Sequence, residues 1–142
     1  VAPAVPEIEN VDLSAAAAGS CQDAFAAIMR ANAILFDSGE AVIRRSSGET
    51  LDKLVEVARP CGRMRIEVHG HTDAVGSRER NVDLSLRRAE AVRAWFVERG
   101  VPADRVTAAG YGPDRPIAGN ASEEERARNR RIEFTVTNLE QR

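Results

Sequence analysis

The stretch GHTDAVGSRERNVDLSLRRAEAVRAWFVERG, from Gly70 to Gly100, holds most of the side chains in this 142-residue chain that could do chemistry. A carboxylate and a guanidinium facing each other across a gap can grip the two ends of a zwitterion. Asp73 would take an ammonium and Arg88 a carboxylate, whose two oxygens match the planar donor fork of arginine. Asn81, Leu84 and Arg88 fall at i, i+3 and i+7, so on a helix they share one face, with an apolar group between two polar ones. The ordinary alternative is that Asp73 and Arg88 pair with each other, or that Asp73 closes an Asx turn and Arg88 is simply solvated. A different chemistry is spelled by His69, His71 and Asp73, since two imidazoles and a carboxylate can hold zinc in a metal-dependent hydrolase. Such enzymes draw further ligands from elsewhere, however, and these are the only two histidines in the chain.

The elements that must position these groups follow from periodicity. Met64, Ile66 and Val68 alternate with Arg65 and Glu67, the pattern of a half-buried strand, which delivers Asp73 to a loop. Gly76 breaks that pattern and Ser77 can cap a helix from Arg78 to Arg99, with Leu84, Ala91, Val92, Trp95 and Phe96 as its apolar stripe. Upstream, Ser20 can cap a helix running through Ala31, Ala33 to Phe36 fits a first strand with a turn at Asp37, Ser38 and Gly39, and Ser46 with Glu49 has capping-box spacing for a helix that ends before Pro60. Downstream, Gly100 and Pro102 stop the long helix, and Val106 to Tyr111 reads as a strand. Ser122 and Glu125 again have capping-box spacing, and Ile132, Phe134 and Val136 alternate as a final strand. The expected fold class is an α/β (α+β) two-layer sandwich, a mixed four-stranded sheet with helices packed on one face.

These motifs also carry a resemblance. The runs GHTDAVGSRERNVDLSLRRAEAV, AAGYG, RPI and RARNRRIEF, in this order, resemble the OmpA-like peptidoglycan-binding domain over about Ile34 to Thr137. The resemblance implies the βαβαβ(α)β layout with an added N-terminal helix, and a site for meso-diaminopimelate of the peptidoglycan stem peptide. In that family the Asp of HTD and the second Arg of RRA bind this ligand, which here are Asp73 and Arg88. The same carry-over places Thr72, Asn81, Leu84, Phe36, Asp37 and Arg130 around the ligand, with Asn129 of NRR structural and His71 shaping the loop. Pro113 and Glu125 depart from the family, which usually has an acidic residue and a glycine there. The implied function is non-covalent, non-catalytic anchoring of an envelope protein to the cell wall. The implied location is the periplasm or cell envelope, with tethering to the outer membrane through a part that precedes Val1.

Composition sets the bounds. The length suits one domain, and 43% hydrophobic with 30% charged residues describes a globular chain. Twenty basic against 22 acidic residues leave a formal charge of −2, so no global field draws the chain to nucleic acid, and the basic run Arg126, Arg128, Arg130, Arg131 follows three glutamates and lacks interleaved aromatics. No stretch is apolar enough to insert into a membrane. No cofactor is implied, and no serine or cysteine nucleophile is paired with a histidine in a recognisable motif. Residues 1–19, rich in proline and acids before an alanine step, read as a linker or tail, residues 20–138 as the domain, and residues 139–142 as a tail. Cys21 and Cys61 each lie at the end of an expected helix. They lack the CxxC spacing of a zinc site and are read as a disulfide tying the leading segment to the domain, the alternative being two buried thiols.

Overall fold

A computed structural model describes residues 18–61 and 64–138. The elements are α1 (Ala18–Ala31), α2 (Arg45–Ala58), β1 (Met64–His71), α3 (Arg78–Glu98), a 3-10 turn (Ala103–Arg105), β2 (Val106–Gly110), α4 (Glu123–Asn129) and β3 (Arg131–Asn138). Of the linker expected over residues 1–19, residues 1–17 lie outside the described residues, as does the tail over 139–142, whereas residues 18 and 19 already belong to α1. β1 is the middle strand, parallel to β2 and antiparallel to β3. Its register sets Ile66 beside Val106 and Val136, and Val68 beside Ala108 and Phe134. Met64, Ile66, Val68, Ile132, Phe134 and Val136 are buried on one face, where α3 covers β1 and β2 and α1 covers β3. The other face carries Arg65, Glu67, Thr107 and Glu133 and is open, as a sheet covered on one side requires.

The sheet has three strands among the described residues, not the four expected. The apolar run from Ala33 to Phe36 forms only an isolated antiparallel bridge between Phe36 and Ile43. Its backbone groups are satisfied locally instead: the Leu35 amide donates to Ser47 Oγ (2.8 Å), the Arg44 amide to the Leu35 carbonyl (2.9 Å) and the Asp37 amide to the Val42 carbonyl (2.9 Å). A segment whose donors and acceptors are already paired has no drive to join a sheet. Along β3, the Gln22 side-chain amide of α1 donates to the Phe134 carbonyl and accepts from the Val136 amide, so a side chain occupies backbone groups that a fourth strand would take.

The expected cap at Ser46 is also corrected. α2 begins two residues earlier, at Arg45, with Arg44 at the cap position and no side-chain cap bond, and the hydroxyl of Ser47 in its first turn serves Leu35 and Ala33 instead. The cap expected at Ser20 is corrected too, since α1 begins at Ala18 and Ser20 lies within it, whereas the other two caps form as the sequence indicates. Ser77 accepts from the Arg80 amide at the start of α3, and Ser122 and Glu125 make a reciprocal capping box at α4. The departure at Glu125 thus has a structural use, since its carboxylate also receives the Ala121 amide and turns the preceding loop.

In α3 the buried face is Ser85, Arg88, Ala89, Val92 and Phe96; Val92 and Phe96 belong to the expected stripe, whereas its Leu84, Ala91 and Trp95 are only half-buried. The cause is a close approach to the sheet. A Cβ on Gly70 would lie 2.2 Å from the Ser85 carbonyl oxygen, and one on Gly110 would lie 2.4 Å from the Leu86 amide nitrogen. Only small side chains fit between such backbones, so the contact is made by residues that carry little hydrophobic signal. Further along the helix, Phe96 meets Phe25 of α1 and Phe134 of β3 at ring centroid distances of 6.4 and 5.8 Å, and this triad joins both layers.

Cys21 and Cys61 form the expected disulfide, both nearly fully buried, and the bridge ties α1 to the end of α2. It closes a separation of 40 residues, for which the chain-entropy estimate is about 4 kcal/mol. Reducing it, or replacing both cysteines by serine, is expected to lower the thermal midpoint by more than about 10 °C. Calorimetric melts with and without reductant check this, and coincident melts would contradict it. Gly70→Ala is expected to destabilise by about 1–3 kcal/mol by overpacking, read as a shift of the denaturant midpoint at unchanged slope.

Candidate functional site

β1 ends at His71 and hands the chain to a tight loop. The Thr72 amide donates to the Gly112 carbonyl, which fixes the loop against the segment that follows β2, and the Thr72 hydroxyl donates to the Asp73 carbonyl. Asp73 Oδ1 accepts from the Val75 amide at 3.0 Å, an Asx turn, and Gly76 with φ +88° lets the chain enter α3. From the first turns of α3, Asn81 Nδ2 donates to the Val75 carbonyl (2.8 Å) and the Asp73 carbonyl (3.4 Å). The loop is therefore pinned to both the strand and the helix. The Asp73 side chain is 13% exposed, and its second oxygen accepts from Arg130 Nη1 at 2.8 Å.

Arg88 is held quite differently. It lies 9% exposed in the middle of α3, its Nε donating to the Glu40 carbonyl (2.8 Å) and its Nη2 to the Asp37 carbonyl (3.4 Å), with its guanidinium 5.0 Å from the centre of the Phe36 ring. The turn from Asp37 to Glu40 that offers these carbonyls closes through the Glu40 amide and needs Gly39 at φ +70°. No carboxylate lies within ion-pair distance of Arg88 among the described residues. Burial above all, then the neighbouring cations Arg130 and Arg87, weaken its hold on its proton, and Asp73 opposes them. It stays charged at neutral pH, as arginine does. Its remaining N–H donors are open to the cleft that it lines.

That cleft has a volume of about 610 Å³ and brings together Phe36, Thr72, Asp73, Asn81, Leu84, Arg88 and Arg130. Asp37, the remaining expected residue, contributes its carbonyl, while its half-exposed carboxylate sits 3.8 Å from Arg44. Asp73 does close an Asx turn, but its ion pair is with Arg130, and Arg88 is largely buried and not paired with it. Sequence reading missed Glu123, which grips Arg130 from the start of α4, and the exposed apolar side chains Leu35 and Val75 at the cleft. Nothing local marks Glu123, because its partner's other contact, Asp73, lies 57 positions away in sequence. Asn129 is structural as expected. Fully buried, it bonds the Ile117 and Ala118 amides and the Ala118 and Gly119 carbonyls, which fixes the loop before α4.

The histidines do not assemble with Asp73 as a metal centre. His69 Nε2 lies 3.2 Å from Glu67 Oε1, and His71 is buried in a stack on Tyr111, its ring nitrogens without hydrogen-bond partners. Among the described residues no group of three or more His, Cys, Asp or Glu side chains is placed to hold a metal ion.

With the geometry in view, comparison with known proteins is direct. The OmpA family sequence pattern matches residues 35–130. The chain belongs to the OmpA family. It is 35% identical over 108 residues to the probable lipoprotein YiaD of Escherichia coli K12, covering 76% of this chain and 49% of that protein. It is 36% identical over 122 residues to the peptidoglycan-binding protein ArfA of Mycobacterium bovis, covering 84% of this chain and 37% of that protein. Among solved structures it is similar to the peptidoglycan-associated lipoprotein of Burkholderia pseudomallei, with a TM-score of 0.66, 28% identity, and coverage of 74% of this chain and 87% of that one. The chain thus spans about half or less of the length of these two curated relatives. Helices on a small mixed sheet are the OmpA-family fold shared with that lipoprotein.

His71 makes the fold sensitive to acid. Burial, and then Arg131, lower its pKa from 6.5 to about 4, with Glu133 opposing and His69 and Arg115 adding smaller repulsions. The folded protein therefore holds the imidazole neutral where the unfolded chain would protonate it, so the stability is full above pH 6.5 and is lost as pH falls toward 4. At about 1.4 kcal/mol per pKa unit, and after allowance for screening at the open face of the sheet, the loss is about 2 kcal/mol. Denaturant titrations at pH 7 and pH 4 are expected to show this extra loss in the wild type and not in His71→Gln; equal losses would contradict it.

Proposed function

We propose that this domain binds peptidoglycan through the zwitterionic end of meso-diaminopimelate in the stem peptide, and so anchors an envelope protein to the cell wall without catalysis. The observation that carries the reading is the buried Arg88 guanidinium, held by carbonyls and a ring, lacking a carboxylate and open to a cleft whose other wall is Asp73. A desolvated cation with unused donors attracts an anion more strongly than a solvated one, because less water must be displaced and the local dielectric is lower. The ligand carboxylate would take those donors and its ammonium would reach Asp73. Leu84 and Phe36 would contact the methylene chain between, and Thr72 and Asn81 would hold the loop in place. The relatives support the wall-binding part of this reading, since they include a peptidoglycan-binding protein and a peptidoglycan-associated lipoprotein. Anchoring to the envelope, and outer-membrane tethering through a segment outside this chain, belong to the same proposal.

Calorimetry with soluble stem peptides tests this. A lysine-type peptide ends in an ammonium alone and leaves Arg88 without a partner, which costs about 2–5 kcal/mol for a charge in a partly desolvated pocket. The wild type is expected to prefer the diaminopimelate peptide by roughly 30-fold or more. Arg88→Ala is expected to abolish that preference and Asp73→Ala to weaken both peptides. Equal wild-type affinity for the two peptides would refute the reading.

A further inference from the structure

The Asp73 carboxylate is already paired within the chain. Arg130 holds Asp73 Oδ2 with Nη1 and the Glu123 carboxylate with Nη2. Its backbone is fixed by the end of α4, where its amide donates to the Arg126 carbonyl, and by the buried Asn129 just before it. Its side chain is 36% exposed, so the guanidinium can turn where the chain cannot. Arg130 also repels Arg88, and after burial it is the largest influence on that group. Four arginines line the cleft; Arg44 and Arg131 pair with Asp37 and Glu133, Arg88 has no carboxylate among the described residues, and Arg130 lies over the anion that an incoming ammonium needs.

We propose that Arg130 is a specificity-determining latch on Asp73. An ammonium alone opens it poorly, and a ligand that brings a carboxylate beside its ammonium opens it readily. The inference rests on the diaminopimelate reading above and deepens it. Within the chain, Asp73 and Glu123 balance Arg88 and Arg130, as Asp37 and Glu133 balance Arg44 and Arg131. An ammonium arriving alone at Asp73 displaces Arg130, leaves it with Glu123 only, and adds a further cation to the cleft. A carboxylate arriving with it sits between Arg88 and Arg130, restores the balance and removes their repulsion. Glu123 supplies the second hold that lets Arg130 leave Asp73 without becoming unpaired. The latch thus raises the barrier selectively against simple amines such as a lysine side chain.

The test is an NMR titration of the folded chain with diaminopimelate-type and lysine-type stem peptides, which reads millimolar affinities, on wild type, Arg130→Gln and Glu123→Gln. With the latch removed, Arg130→Gln should bind the lysine-type peptide about three- to fivefold tighter than wild type, the range of a partly exposed ion pair. Its preference for the diaminopimelate peptide should narrow accordingly. Glu123→Gln, which leaves Asp73 and Arg88 in place and serves if the first variant does not fold, should weaken the lysine-type peptide. A wild type that prefers diaminopimelate, together with an Arg130→Gln affinity for the lysine peptide that is unchanged or lower, overturns the latch alone. A wild type that binds neither peptide, or both alike, removes the underlying reading and the latch with it.

Discussion

Keeping one guanidinium charged inside the protein constrains much of the rest. Arg88 lies in the middle of α3 with two carbonyls and a phenylalanine ring as its protein partners. Burying an ion without a counter-ion is tolerable only if fixed dipoles replace part of its water shell and some donors still reach solvent or a ligand. The turn from Asp37 to Glu40 supplies those dipoles, so the segment after α1 is shaped around Arg88 rather than paired into the sheet. The sheet loses a strand, and the cleft gains a rigid cation.

The second constraint is the approach of α3 to β1 and β2. Gly70 and Gly110 let the helix backbone lie almost on the strands at Ser85 and Leu86, and the Ser85 hydroxyl donates to the Val82 carbonyl and accepts from the Gly112 amide. Because Asp73 leaves the end of β1 and Arg88 projects from the next turn of α3, this contact sets the distance between the two charges. A larger residue at either glycine would push helix and sheet apart and widen the cleft. The phenylalanine triad and the disulfide stabilise the far end of the domain, away from the cleft, so the loops that line the cleft are supported without its being filled in.

Much of this was legible in the sequence, for a physical reason in each case. The span and cap of α3, the capping box at Ser122 and Glu125, the alternation of β1 and β3 and the Cys21–Cys61 bridge all rest on local patterns or composition. The residues gathered around the cleft were legible through the resemblance. What stayed hidden depends on contacts distant in sequence. The run from Ala33 to Phe36 has strand composition, but whether it joins a sheet is decided by Ser47 and the turn beyond it. The packed face of α3 is written in serine, alanine and arginine, which periodicity does not weigh. Arg130 reaches Asp73 only because β3 returns beside β1, and no local signal in the sequence announces that pairing.

The account stands on Arg88 being the carboxylate receptor. A crystal structure of the domain with a diaminopimelate-containing stem peptide tests that most directly. The account predicts the terminal carboxylate of the side chain within about 3 Å of the Arg88 guanidinium, and its ammonium at the same distance from Asp73. A peptide bound with Arg88 still holding only the Glu40 and Asp37 carbonyls, and its zwitterionic end elsewhere, would contradict it.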